Sequence, residues 1–214
     1  MRFATKAIHA GQEPDELTGA VAPPIYMSTT YAKNEMGYLY SRIGNPTRTA
    51  LEKNLAALEN AKWGLAFASG MAAIDSVVRM LKPGEHVVVS DNIYGGTYRL
   101  FDKVLKAGGY EFSFVDATNL MNVEVAIRKN TKLIWMETPT NPVLKVIDIE
   151  GVVEIAKENE LIAAFDNTFA TPYLQNPLDF GADIVVHSMT KYLGGHSDVV
   201  SGAVLTSNEE YYEK

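Results

Sequence analysis

The sequence contains no cysteine in 214 residues. That excludes disulfides and thiolate metal sites, and it suits a reducing cytoplasm. Positive charge is also scarce. Nineteen lysines and arginines stand against 26 aspartates and glutamates, a formal net charge of -7. With no basic cluster, neither nucleic acid nor an anionic membrane is an expected partner. No apolar run approaches the ~20 residues needed to span a bilayer. Met1-Arg2-Phe3-Ala4-Thr5-Lys6 lacks the apolar core of a signal peptide. The four histidines, His9, His86, His187 and His196, show no metal-ligand spacing, and no metal site is expected. Repeats and low-complexity tracts are missing too. What remains is an ordinary globular composition, 47% hydrophobic and 21% charged, enough for one large domain or two small ones.

Residues 1–45 read as an irregular arm, punctuated by Pro14, Gly19, Pro23, Pro24, Gly37 and Gly44. Phe3, Tyr26, Tyr31, Tyr38 and Tyr40 make it too aromatic for a solvated tail, so it is expected to pack on something, such as another subunit. Asn45-Pro46 is an N-cap followed by a first helical residue, and Leu51, Leu55 and Leu58 mark one face of the helix that follows. Beyond it, apolar strands alternate with helices. Strands are expected at 64–69, 87–90, 110–115, 133–137, 161–165 and 184–186. Helices are expected from Gly70, over 98–106, over 123–128 and over 149–158. Strands apolar throughout, separated by helices, predict an α/β domain over 46–214 with a mostly parallel sheet covered on both faces. Gly202–Thr206 follows too closely for a parallel crossover, so it should return antiparallel or join from elsewhere.

Candidate chemistry collects where these strands end, the usual ligand face of an open α/β sheet. Ile184–Val186 runs into Ser188, Thr190 and Lys191, then Gly194-Gly195. Hydroxyls and backbone amides there suit an anion. A lysine amine can form a Schiff base with an aldehyde, so the stretch suits pyridoxal 5'-phosphate (PLP), which carries both aldehyde and phosphate. A surface lysine in a turn is the plain alternative. Asp166 ends the apolar run Leu161–Phe165, so its carboxylate should be desolvated and need a partner. The pyridinium nitrogen of PLP is one; an N-cap or a buried salt bridge is another. Ser69-Gly70-Met71 precedes a helix, where free amides and the macrodipole favour phosphate, although a simple N-cap reads the same way. Tyr94, in a glycine-rich turn, could lie on an aromatic ring or merely pack its loop. Arg99 could grip a carboxylate or be solvated. Asn141, between two prolines, is held rigidly or serves its own turn.

Together these residues resemble the Cys/Met-metabolism family of PLP enzymes, which includes the cystathionine γ-synthases, γ-lyases and β-lyases and the methionine γ-lyases. The resemblance runs along the whole sequence: Ala10-Gly11, Pro23-Pro24-Ile25, Tyr40-Ser41-Arg42, Ser69-Gly70-Met71-Ala72-Ala73, Tyr94-Gly95-Gly96-Thr97, Glu137-Thr138-Pro139-Thr140-Asn141-Pro142, Asp166-Asn167-Thr168 and Ser188-Met189-Thr190-Lys191-Tyr192. It implies the large domain of fold-type I PLP enzymes, with Lys191 bonded to PLP, Asp166 facing the pyridine nitrogen and Tyr94 stacked on the ring. Ser69, Gly70, Met71, Ser188 and Thr190 would bind the phosphate, with Tyr40 and Arg42 arriving from a neighbouring subunit of a homotetramer built from dimers. Asn141 and Arg99 would meet an amino-acid substrate. The implied reaction is γ-elimination on cystathionine or a related sulfur amino acid, with γ-replacement on an O-acyl-homoserine as the alternative. Methionine γ-lyases carry a cysteine two residues after the stacking tyrosine, where this sequence has Gly96, which counts against that member. The family also has a C-terminal small domain with an arginine for the substrate α-carboxylate, and the sequence ends at Lys214 without one. The expectation is therefore PLP binding with little turnover unless another chain supplies it. A PLP-binding or assembly piece without activity is one rival. A nucleotide-binding domain is another, although Ser69–Ala73 matches neither G-x-G-x-x-G nor a P-loop.

Overall fold

The computed structural model describes residues 1–214. In chain order it contains α1 (Phe3–His9), α2 (Pro46–Leu58), β1 (Trp63–Phe67), α3 (Gly70–Val78), β2 (His86–Ser90), α4 (Gly95–Arg99), a π-helical turn over Leu100–Leu105, and β3 (Glu111–Val115). These are followed by α5 (Leu120–Ala126), β4 (Thr131–Glu137), α6 (Ile149–Glu158), β5 (Ile162–Asp166), α7 (Thr171–Leu174), β6 (Ile184–His187), β7 (Gly202–Thr206) and α8 (Glu209–Glu213). The seven strands form one sheet in the order β1-β7-β6-β5-β4-β2-β3. The pairs β6/β5, β5/β4, β4/β2 and β2/β3 are parallel, whereas β7 lies antiparallel to both β6 and β1. This is the mostly parallel α/β architecture the sequence predicts, including the antiparallel return of Gly202–Thr206.

Both sheet faces are apolar because successive side chains on a strand point to opposite sides. Val87, Val89, Leu133, Trp135 and Ala164 pack with α3 and Phe101 on one face. Val88, Ile134, Met136, Ala163 and Phe165 pack with Val152, Val153 and Ala156 of α6 on the other. An uninterrupted apolar strand is what two covered faces demand. The parallel strands all end on the same side. The register pairs Glu137 with Asp166, and Asp166 with Val186, one residue short of His187. Three neighbouring strand ends therefore deliver their next residues to one edge of the sheet.

Four details depart from the sequence reading. The 1–45 stretch is not wholly irregular, because α1 lies within it. Asn54 Nδ2 donates to the carbonyls of Lys6 (3.0 Å) and Ala10 (2.9 Å), and Lys6 Nζ donates to that of Ala57 (3.1 Å). Seven residues are too few to show a helical period or to stand alone; α2 supplies the missing support. The helix expected over 98–106 starts earlier, at Gly95, and continues through the π-helical turn. β1 stops at Phe67 because Ser69 is already the N-cap of α3, accepting from the Ala72 N–H. The short α7 and α8 carry no periodic signal. The Asn45 cap is as read, accepting from the N–H groups of Thr47 and Arg48.

Candidate active site

A cleft opens at the carboxyl ends of the parallel strands. It is lined by Ser69, Gly70, Met71, Tyr94, Asn141, Asp166, Ser188, Thr190 and Lys191, nine of the twelve residues picked out in the sequence. Tyr40, Arg42 and Arg99 do not line it. Arg42 is exposed, with its guanidinium 4.7 Å from the centre of the Tyr40 ring. Arg99 is exposed beside the Tyr94 turn, its Nη1 3.6 Å from where a side chain on Gly95 would begin.

One end of the cleft is the N-terminus of α3. Its first N–H groups have no intrahelical acceptor, and the helix dipole is positive there. Gly70 lies flat against Ser188: a Cβ on Gly70 would fall 2.7 Å from Ser188 Cβ and 2.8 Å from its Oγ. Glycine therefore lets the helix amides and the Ser188 hydroxyl close on the same space. Thr190 Oγ1 is partly occupied, exchanging hydrogen bonds with the carbonyl and N–H of Ser201 at 3.1 Å each.

At the floor, Asp166 is 6% exposed. Its Oδ1 accepts from the Thr168 N–H (3.0 Å) and Thr168 Oγ1 (2.6 Å), and Oδ2 accepts from no protein donor. Thr168 Oγ1 in turn accepts from the Ser188 N–H (2.8 Å), tying the β5 end to the β6 end. Burial pushes Asp166 above the usual carboxylate range. The two Thr168 bonds oppose that shift, as does His187. His187 belongs to a fully buried network beneath the floor: its Nε2 lies 2.5 Å from Glu59 Oε1, which also accepts from Asn167 Nδ2 (2.7 Å).

Lys191 lies in the turn after β6 with its amine free of any ion pair or hydrogen bond to the protein. The Tyr94 ring lies against Gly96. A Cβ there would collide with ring carbon Cε1 and come within 2.9 Å of Met71 Sδ. The glycine two residues after the tyrosine is thus the space the ring occupies.

The site also contains residues the sequence reading gave no role. Glu137 is 5% exposed. It accepts from the backbone N–H of Tyr94 on Oε2 (2.7 Å) and of Asn141 on Oε1 (2.8 Å). Burial and the neighbouring Asp166 push it up to about 8 against these two bonds. The signal was available, since Glu137 ends an apolar strand just as Asp166 does. Thr168 and Glu59 had no comparable local signal.

A helix N-terminus, a free amine, a desolvated carboxylate with one unpartnered oxygen and an aromatic ring therefore meet in one cleft. This donor set fits a flat heteroaromatic aldehyde bearing a phosphate, and with the fold it puts the chain among the fold-type I PLP-dependent enzymes. More narrowly, the chain belongs to the family described as Cys/Met metabolism PLP-dependent enzyme, whose sequence pattern matches residues 4–214. A probable cystathionine γ-synthase of Herpetosiphon aurantiacus is 55% identical over 99% of this chain and 68% of its own. A cystathionine β-lyase of Coxiella burnetii is 53% identical over 98% of this chain and 56% of its own. The crystal structure of cystathionine γ-lyase from Lactobacillus plantarum, complexed with L-serine, superposes with a TM-score of 0.96 at 49% identity. That match covers all of this chain and 57% of the other. The chain thus spans between about half and two thirds of the length of these relatives. No helix is long and apolar enough to cross a membrane.

Proposed function

We propose that this chain supplies the cofactor-binding domain of an enzyme that cleaves cystathionine, or a related sulfur amino acid, by γ-elimination. The observation carrying the reading is that Lys191, Asp166 and Tyr94 share one cleft with the N-terminus of α3. When bound, PLP supplies an electron sink that acidifies C–H bonds next to the substrate amine.

The chain's own residues have the following tasks. The Gly70 and Met71 amides, with the Ser69, Ser188 and Thr190 hydroxyls, hold the phosphate. Asp166 offers Oδ2 to the ring nitrogen and keeps a proton there. Lys191 Nζ would hold the cofactor and, when free, would take the proton from the substrate carbon next to the amine. Tyr94 covers the ring face and exchanges protons through its hydroxyl. Asn141 orients the substrate within the cleft, and Arg99, outside it beside the Tyr94 turn, meets the distal end of a long substrate. Tyr40 and Arg42 complete the phosphate site of a neighbouring copy, residues 1–45 being the arm that reaches it in a dimer of dimers. Cytoplasmic placement accords with a sequence free of cysteine.

A second reading, γ-replacement on an O-acyl-homoserine with cysteine, is favoured by the 55% identity to a probable γ-synthase. Methionine γ-elimination is disfavoured, because Gly96 stands where methionine γ-lyases carry a cysteine, and the Tyr94 ring and Met71 Sδ occupy the space a side chain would need.

The test begins with purification in the presence of PLP. The expected result is a visible absorption band that borohydride bleaches, leaving cofactor covalently on the peptide containing Lys191. K191A should lose that adduct and lower any turnover by at least about 10²–10⁴-fold, the usual cost of removing a general base. Products from cystathionine, with and without O-acyl-homoserine plus cysteine, then separate elimination from replacement. Label on Lys191 without turnover would leave a PLP-binding piece only, and a colourless protein would end the reading.

A further inference from the structure

Two carboxylates stand side by side in the cleft, and they are bonded differently. Asp166 keeps one oxygen free of protein donors, whereas Glu137 has both engaged: Oε2 by the Tyr94 N–H at 2.7 Å and Oε1 by the Asn141 N–H at 2.8 Å. Tyr94 is in the turn after β2 and Asn141 in the loop after β4, so one side chain spans two separate ligand-bearing loops. Tyr94 is the N-cap of α4, with φ -48° and ψ 129°. The direction of its N–H therefore fixes where its ring leaves the chain, over Gly96 and against Met71. The same loops are tied a second time by a neutral bond, Thr140 Oγ1 donating to Asn92 Oδ1 at 2.8 Å. Keeping the loops together therefore does not require an anion. Yet a carboxylate is placed here, nearly fully buried and in register beside Asp166. Neutral glutamine has a single oxygen acceptor, and its amide NH₂ would face the second N–H. Hydrogen bonds to an ionised acceptor are also roughly twice as strong as neutral ones.

We propose that Glu137 is a positioning residue whose carboxylate grips the Tyr94 and Asn141 backbone amides together, and so sets how the Tyr94 ring and the Asn141 side chain face the cofactor and substrate. This rests on the roles proposed above for Tyr94 and Asn141. Glu137 itself touches no reacting atom. The other titratable groups lining the cleft are Asp166 on β5, the Tyr94 phenol and Lys191 after β6. None of them is bonded to these two amides. Burial and Asp166 raise Glu137 to about 8, so it changes charge in a range where its effect on the two N–H groups can be followed.

The decisive measurement is made on the PLP-free chain by amide NMR through pH 8. The Tyr94 and Asn141 amide protons should move downfield together with a single midpoint as Glu137 ionises, and E137Q should abolish both movements. Separate midpoints, no movement, or movement that survives in E137Q would overturn the assignment. Should E137Q not fold, the wild-type titration alone decides. The second readout uses the loaded protein. E137Q should still yield cofactor trapped by borohydride on Lys191, but lose most of the induced circular dichroism of the cofactor band, because the ring above it is no longer fixed. Unchanged dichroism would also overturn the proposal. If wild-type protein takes up no cofactor, the functional reading fails while the amide titration still judges Glu137 by itself.

Discussion

Beneath the cleft, His187, Glu59 and Asn167 are fully buried and bonded to one another; in residues 1–45 no residue is buried at all. The two regions carry candidate ligands for the same cofactor, yet they are held in opposite ways. At the strand ends, each side chain is fixed by register, by an apolar layer on either side and by hydrogen bonds crossing from strand to strand. In the arm, the fixing bonds are at most partly buried, such as Asn45 Nδ2 donating to Tyr31 Oη and the Tyr26 carbonyl. Large apolar side chains there stay open to water, with Leu17 92%, Met27 91% and Ile25 80% exposed. These side chains offer apolar surface on which another surface can dock. The strand-end half of the proposed site is therefore built by this chain alone, and the arm's half depends on what the arm meets.

The contrast is sharpest at Glu59. Glu59→Ala removes the acceptor for both His187 Nε2 and Asn167 Nδ2 in a fully buried setting. Leaving a buried donor without its acceptor costs about 1–3 kcal/mol, and two are left here, so the loss should be several kcal/mol. Chemical denaturation of E59A should show a loss of that size. A loss below about 1 kcal/mol, typical of surface sites, would mean that the floor is no more rigid than the arm.

A smaller effect follows from the cleft's paired carboxyls. Burial and Asp166 raise Glu137 from 4.5 in the unfolded chain to about 8, and burial raises Asp166 in the same direction. A carboxyl with a raised folded pKa binds its proton more tightly in the fold than in the unfolded chain. Its contribution is fully present below pH 4.5, declines as pH rises towards 8, and is constant above that. At 1.36 kcal/mol per pKa unit, the part lost between pH 5 and pH 8 is on the order of 3–4 kcal/mol. The Tm of the PLP-free chain should therefore fall between pH 5 and pH 8, opposite to the trend of surface-paired carboxylates, and E137Q should flatten the slope. A Tm that rises across that range would show the strand ends to be better solvated than their burial indicates.

How far the sequence revealed this molecule follows the same division. Lys191 could be found from the hydroxyl cluster and glycine turn that follow an apolar strand. Asp166 could be found because it ends such a strand with no polar residue inside it, so the first polar side chain marks the sheet edge. The same rule applies to Glu137, whose role needed one further fact: β4 and β5 are adjacent and in register. Strand order is a tertiary property that no local pattern carries. Glu59 is the extreme case. It ends α2 and looks like any solvated helix residue, and its burial comes from a partner 128 residues away. In the arm, Phe3, Tyr31, Tyr38 and Tyr40 are half-buried. The α1 helix was invisible because its stability comes from Asn54 and Ala57 on α2 rather than from its own seven residues.

The smallest effect on stability is expected at Arg42. Its guanidinium is exposed and rests on the Tyr40 ring at 4.7 Å, a contact worth about 0.5–1 kcal/mol at an exposed site. Arg42→Ala should leave the Tm of the PLP-free chain almost unchanged. If Arg42 reaches the phosphate of a neighbouring copy, the same substitution removes a charge-assisted hydrogen bond worth about 1.5–3 kcal/mol. PLP retention should then weaken by roughly 10–100-fold, but only at protein concentrations where sedimentation shows an assembled species. K191A has no such requirement, because Lys191 lies in its own chain's cleft. Comparing the two variants across a dilution series therefore separates the regions directly. A retention loss for R42A that is independent of assembly would place Arg42 on its own chain's cofactor, and the arm would then be closing over the cleft from which it stems.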